Sequence, residues 1–242
     1  MRHGKRNNYR SVIGKLNYLE RGSRSDIAYI VHQCARFAVN PKKEHGDAIR
    51  WLGRYLKATR DKGTIIKPVK GEELVVYVDA DFAGNYHKND TNDRDSARSR
   101  HGYIILYEGC PVTWKSQLQT EITLSSTESE YTGLSYALRE AIPIMELLNK
   151  MKSNGFPTTS AKPRVFCKVF EDNSGALEIA NTHKYRPRTK HLNVKLHHFR
   201  DYVTRGEIQV VPIRTDSQLA DYLTKPVNAD ILSKLRKLVM GW

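Results

Sequence analysis

The chain has 242 residues, 39% of them hydrophobic, and carries 40 Lys and Arg against 26 Asp and Glu, a formal net charge of +14. That size fits one large domain or two small ones, and the positive surplus points to an anionic partner, nucleic acid being the commonest. A membrane helix is excluded because no apolar run nears the ~20 residues it needs, and a zinc ribbon because Cys34, Cys110 and Cys167 stand far apart with no Cys-x-x-Cys pair.

The three cysteines read as reduced thiols of an intracellular protein. The basic start, Met1-Arg2-His3-Gly4-Lys5-Arg6, has no apolar stretch after it and is not expected to be a secretory signal. Residues 9–60 read as helical. Ile13, Leu16 and Leu19 recur every three residues, Ile27, Ile30 and Val31 continue the stripe, and Ala48, Leu52 and Leu56 resume it after Pro41. Residues 64–73 read as a hairpin or linker. Leu74-Val75-Val76-Tyr77-Val78 is a short apolar run and predicts a strand buried on both faces.

Residues 84–99 read as a polar loop. Strands follow near Gly102–Tyr107 and Val112–Ser116, joined by a turn at Glu108-Gly109. A long helix is predicted over Ser126–Lys152, with Ser125 and Glu128 as a capping box and Pro143 as a kink. Val165–Glu171 predicts a strand, Ser174–Asn181 a short helix, and His191–Val203 another helix. Glu207–Pro212 predicts a strand, Ser217–Lys225 a helix stopped by Pro226, and Ala229–Leu238 a last helix. Three strands, a helix, then alternating strands and helices describe a mixed sheet with flanking helices.

Four acids stand where this pattern calls for something else. Asp79 and Asp172 follow buried strands, the end at which α/β sheets carry their sites; either alone would serve as a turn cap. Glu130 lies four, seven and eight residues before Leu134, Ala137 and Leu138, on the buried stripe of its own helix. A lone carboxylate there is costly unless paired or metal-bound, although a first-turn acid also profits from the helix dipole. Asp221, read alone, is an ordinary exposed acid opposite Leu219 and Leu223. Carboxylates that converge repel one another unless cations neutralise them, and hard oxygen ligands favour magnesium or manganese. Two such ions support phosphoryl displacement, so an acidic metal site in a basic chain fits nuclease chemistry.

These residues resemble a known family. Tyr77-Val78-Asp79-Ala80-Asp81-Phe82-Ala83-Gly84, Leu124-Ser125-Ser126-Thr127-Glu128-Ser129-Glu130-Tyr131 and Glu171-Asp172-Asn173-Ser174-Gly175-Ala176 are similar to the first strand, first helix and fourth strand of copia-type (Ty/copia) ribonuclease H. Arg188-Thr189-Lys190-His191-Leu192 and Gln218–Pro226 match its C-terminal signatures. Tyr9–Leu19 and Arg24–Tyr29 resemble the segment after the polymerase palm of the same polyproteins.

The resemblance implies an α/β, ribonuclease H-like mixed sheet over residues 71–242, preceded by a helical end of the reverse transcriptase over 1–70. It implies hydrolysis of the RNA strand of RNA/DNA hybrids, with Asp79, Glu130, Asp172 and Asp221 as catalytic ligands of two Mg2+ or Mn2+ ions. The implied partners are the hybrid and the polymerase region of the polyprotein, inside cells in virus-like particles. Lys115, Lys184, Arg186, Arg188 and Lys190 are candidate phosphate contacts, and Asn173 and Ser174 candidate sugar contacts.

Two departures stand out. The loop Arg214-Thr215-Asp216-Ser217 lacks the histidine that many cellular ribonucleases H carry there, and none of His191, His197 and His198 is assigned to that role. The 84–99 loop is long, and its Arg94, Arg98 and Arg100 are candidates for touching nucleic acid. The Tyr-x-Asp-Asp turn of polymerases is missing, so the chain is not expected to polymerise DNA. The alternatives are a catalytically silent nucleic-acid-binding remnant and another nuclease built on the same kind of sheet.

Overall fold

The computed structural model describes residues 3–69, 71, 73–86, 94–157, 164–182 and 198–242. They fall into two compact units, one of Met1–Ile65 with Pro226–Trp242 and one of Ile66–Lys225. No helix among the described residues is long and apolar enough to cross a membrane.

The first unit opens with α1 (His3–Ser23), α2 (Ala28–Ala35) and α3 (Lys43–Ala58), with a 3-10 turn at Ser25–Ile27. Most of the expected stripe packs: Leu16, Ile27, Val31 and Leu52 form one apolar cluster, and Tyr9, Ile13 and Cys34 another, while Leu19 stays exposed.

The second unit is built on β1 (Leu74–Asp81), β2 (Arg100–Tyr107) and β3 (Cys110–Leu118), which pair antiparallel in sequence. The long helix α4 (Ser126–Ser153) follows, then β4 (Cys167–Glu171), α5 (Ser174–Asn181), α6 (Arg200–Thr204) and β5 (Ile208–Pro212). β4 and β5 join parallel, giving the order β3-β2-β1-β4-β5. This is the mixed sheet with flanking helices that the sequence predicts.

In β1 the alternate residues Leu74, Val76, Val78 and Ala80 are buried, while Val75 and Tyr77 are half-buried. The strand is therefore sealed on one face rather than both. On that face α4 contributes Tyr131, Leu134, Ala137, Leu138, Ala141 and Met145 to the main core. Helix α4 runs through Pro143 without interruption. A Cβ on Gly133 would meet His101 Cβ at 3.3 Å and Val78 Cγ2 at 3.5 Å, so a glycine there lets the start of α4 lie close to β1 and β2. The expected helix over His191–Val203 lies partly outside the described residues; the described part is α6.

The segment predicted as one helix, Ser217–Lys225, is broken. A 3-10 turn at Thr215–Ser217 leads to an extended Gln218, and only α7 (Asp221–Thr224) is helical. Gln218 is buried, its Nε2 donates to Val78 O at 2.8 Å, and its Oε1 accepts from Ala220 N at 3.3 Å. Tying that side chain to β1 stops the turn from propagating.

The last helix, α8 (Ala229–Met240), also corrects an expectation. The sequence reading placed 226–242 with the sheet, but the structure groups it with α1–α3. Its buried Leu235, Val239 and Met240 pack within that helical unit, and Ile65 N donates to Met240 O at 2.9 Å.

Candidate metal-binding active site

The parallel ladder between β1 and β4 ends at the pair Tyr77–Phe170. Asp79 and Asp172 each stand two residues beyond it, β1 carrying on alone against β2 to Asp81. Thus Asp79 lies inside its strand, not at its end, but past the point where β4 leaves it.

The third acid comes from α4. Ser125 Oγ caps that helix by accepting from Glu128 N at 3.1 Å, and Glu128 Oε2 accepts from Leu124 N at 2.8 Å. Glu128 is thereby occupied at the helix start, and Glu130 falls on the buried face beside Tyr131 and Leu134. One carboxylate oxygen from each of Asp79, Glu130 and Asp172 lies within 4.8 Å of the other two. Three elements thus bring three carboxylates to one point.

Such a cluster is electrostatically costly, and the side chains show it. Asp79 is 3% exposed. Burial pushes its carboxyl up to about 6; Lys225 and a hydroxyl hydrogen bond from Thr224 pull it back, while Asp221 and Asp172 push it further. Glu130 is 7% exposed, its Oε2 has no hydrogen-bond partner, and the Ala80 N–H donates to its carboxylate. Burial first, then the charges of Glu171, Asp79 and Asp172, hold it strongly toward the protonated form.

Asp221 is brought near, though it is not one of the three clustered acids. Its Oδ1 lies 3.0 Å from Lys225 Nζ, which is also 3.8 Å from Asp79 Oδ2. Burial raises its carboxyl and Lys225 opposes that. The acid that read as exposed is therefore mostly covered, α7 sitting over β2 where a Cβ on Gly102 would meet Leu223 Cβ at 2.6 Å.

Three residues escaped the sequence reading. Glu171 is fully buried beside the cluster; its Oε1 accepts from Asn173 N at 3.0 Å and its Oε2 has no partner. It alternates with buried Cys167 and Val169 along β4, a core-facing position that should have marked it. Thr224 and Lys225 follow Asp221 in one signature, and only the fold turns them toward Asp79.

The expected nucleic-acid contacts divide. Ser174 is exposed and Lys115 half-buried on β3. Asn173 caps α5, its Oδ1 accepting from Ala176 N at 3.0 Å. Lys184, Arg186, Arg188 and Lys190 lie outside the described residues, as do His191 and His197; of Arg94 only the backbone is described. Arg98 pairs with Asp95 at 2.9 Å. Arg100 corrects the loop reading, being 1% exposed in β2, opposite Asp81 and donating to Ser116 Oγ at 3.1 Å. Buried there, it does not reach a phosphate.

The donor set fits a hard divalent cation. All the ligand atoms are carboxylate oxygens, and one buried oxygen, Glu130 Oε2, lacks any donor to satisfy it.

No protein-family model matches the chain. It is 34% identical over 220 residues to the retrovirus-related Pol polyprotein from transposon RE1 of Arabidopsis thaliana, a match covering 91% of this chain and 14% of that one. It is 32% identical over 235 residues to the Pol polyprotein from transposon TNT 1-94 of Nicotiana tabacum, covering 96% and 16%. The chain thus spans only a small part of these relatives, 14% and 16% of their length. Among solved structures, LC11-RNase H1 isolated from compost is 17% identical with a TM-score of 0.44, over 67% of this chain and 96% of that one.

Proposed function

The chain belongs to the copia-type retrotransposon Pol polyproteins, and from that premise we propose that its sheet unit is a ribonuclease H that hydrolyses the RNA strand of RNA/DNA hybrids. The observation that carries the proposal is the meeting of Asp79, Glu130 and Asp172 within 4.8 Å, from three elements. Separate structural roles for three acids do not call for that convergence.

Asp79, Glu130 and Asp172 would hold one Mg2+ or Mn2+, and Asp79 with Asp221 a second. When bound, such ions make hydroxide from water and stabilise the leaving 3′ oxygen. The chain's own groups do the rest. Thr224 fixes the Asp79 carboxylate through its hydroxyl. The Ala80 N–H orients Glu130. Exposed Ser174, two residues after Asp172, would read the 2′-hydroxyl that separates RNA from DNA. Basic side chains, with Lys115 among the described ones, hold the backbone by charge. The helical unit is the end of the reverse transcriptase, and the polymerase region of the polyprotein, in an intracellular virus-like particle, is the natural partner.

The test is cleavage of a labelled RNA/DNA hybrid by the full chain in magnesium, beside Asp79→Asn. The variant should lose roughly 100- to 1,000-fold in rate, since metal-held charge stabilisation is worth several kcal/mol. Equal cutting by both proteins, or cutting by neither, sinks the catalytic reading. Salt-dependent hybrid binding without cleavage would mark a silent binding remnant instead. A substrate with DNA in both strands should remain intact; equal cutting of it would indicate a different nuclease.

A further inference from the structure

Lys225 has a job that the four acids leave open. Its Nζ stands 3.0 Å from Asp221 Oδ1 and 3.8 Å from Asp79 Oδ2, with 37% of the side chain exposed. Its backbone N–H donates to Asp221 O at 3.2 Å, so the turn that presents Asp221 also delivers the ammonium. The preceding residue, Thr224, is the one whose hydroxyl holds Asp79 Oδ2. Asp172 and Asp81 are further electrostatic neighbours of Lys225.

The ammonium is therefore the positive charge between Asp79 and Asp221. A divalent ion drawing on both carboxylates needs the place it holds. Lysine suits a charge that must come and go. Its ammonium is a compact charge on a flexible four-carbon stem, and a partly exposed head can swing to water. A guanidinium would instead lock onto a carboxylate through its fork.

Resting on the metal-dependent reading above, we propose that Lys225 is a built-in counter-cation for the Asp79–Asp221 side of the site. It neutralises those carboxylates until a second divalent ion displaces it, and so weakens the affinity for that ion. It is a positioning residue, acting through the acids.

The experiment is a Mn2+ titration of the full chain without nucleic acid, counting bound ions by the loss of the free Mn2+ paramagnetic signal. Wild type should bind one ion more tightly than a second. Lys225→Met should tighten the weaker ion by roughly tenfold, the scale of removing one partly buried opposing charge, and leave the tighter one nearly unchanged. Lys225→Arg keeps the charge and, by locking onto a carboxylate through its fork, should leave the weaker ion no tighter than in wild type and weaken it further. In metal-free buffer Lys225→Met should melt earlier than wild type, and Mn2+ should raise its melting temperature by more.

Unchanged or weaker second-ion affinity in Lys225→Met overturns the proposal, as does equal tightening in Lys225→Arg. If wild type and Lys225→Met both bind no Mn2+, or Asp79→Asn binds it as wild type does, the metal reading falls and takes this one with it. The two failures are therefore distinguishable.

Discussion

Asp79 offers the clearest link between one carboxyl and the stability of the fold. Its carboxyl is pushed up to about 6, chiefly by burial, from about 3.9 in an unfolded chain. The folded state thus holds the proton more tightly than the unfolded one. The stability this gives is fully present below about pH 4 and is lost as pH rises through about 6. In metal-free buffer, wild type minus Asp79→Asn should therefore fall by up to about 3 kcal/mol between pH 4 and 7. Chemical denaturation at a series of pH values measures it. Magnesium, by favouring the charged carboxylate, should flatten the slope, and a difference that rises with pH would contradict the burial account. At this scale the sequence was informative wherever charge broke an apolar pattern. Asp79, Glu130 and Asp172 were legible that way, Asp221 only through the family signature. Arg100 was misread because an arginine beside a polar loop looks solvated, and its neighbours, half-buried Asp81 and buried Ser116, are set by strand register.

Among the elements, strands and long helices were legible because each buries its own periodic stripe. The segment Gln218–Lys225 was not, since its shape comes from a distant hydrogen bond, Gln218 Nε2 to Val78 O. That segment holds Asp221, Thr224 and Lys225, so its seating on the sheet is a functional matter. Gly102 in β2 is the contact point. A Cβ there would lie 2.6 Å from Leu223 Cβ and 2.9 Å from Thr224 Cγ2, so the turn must lift or the strand must shift. Gly102→Ala should cost about 1–3 kcal/mol of stability, as overpacking does, and lower hybrid cleavage further than the stability loss explains, because Thr224 leaves Asp79. Gln218→Leu should free the same segment without overpacking, costing about 1–3 kcal/mol for the unsatisfied Val78 carbonyl. Urea melts with single-turnover cleavage read both variants. Full activity in folded Gly102→Ala would show that α7 need not sit where it does.

At the scale of the whole molecule, the sequence misplaced the C-terminus because an amphipathic helix declares that it has a buried face without declaring its partner. Residues 226–242 close a helical unit whose other segment ends at Ile65, and a buried polar cluster explains why. Arg24 grips Asp26 through two 2.8 Å bonds, Tyr55 OH donates to Asp26 Oδ2 at 2.6 Å, and Arg236 Nη1 donates to Tyr55 OH at 3.0 Å. Trp242 lies under both guanidiniums, 5.3 Å from Arg24 and 3.9 Å from Arg236. Removing 226–242 would take away that ring, the Tyr55 partner and the Met240 carbonyl that Ile65 N uses. The Arg24–Asp26 pair would then face water, where a salt bridge is worth ~0–1 kcal/mol, and the buried side of α8 would be lost. Hydrogen exchange on the full chain and on a chain ending at Lys225 should therefore show protection collapsing in α1–α3. The strands β1, β2 and β4, whose core lies within 66–225, should keep theirs. Arg236→Met, which leaves the chain length intact, should weaken α1–α3 protection in the same direction by about 1–3 kcal/mol, the cost of a lost partner to a buried polar network. Equal protection of α1–α3 with and without the tail would mean that the helices hold together alone and that the cluster is decoration.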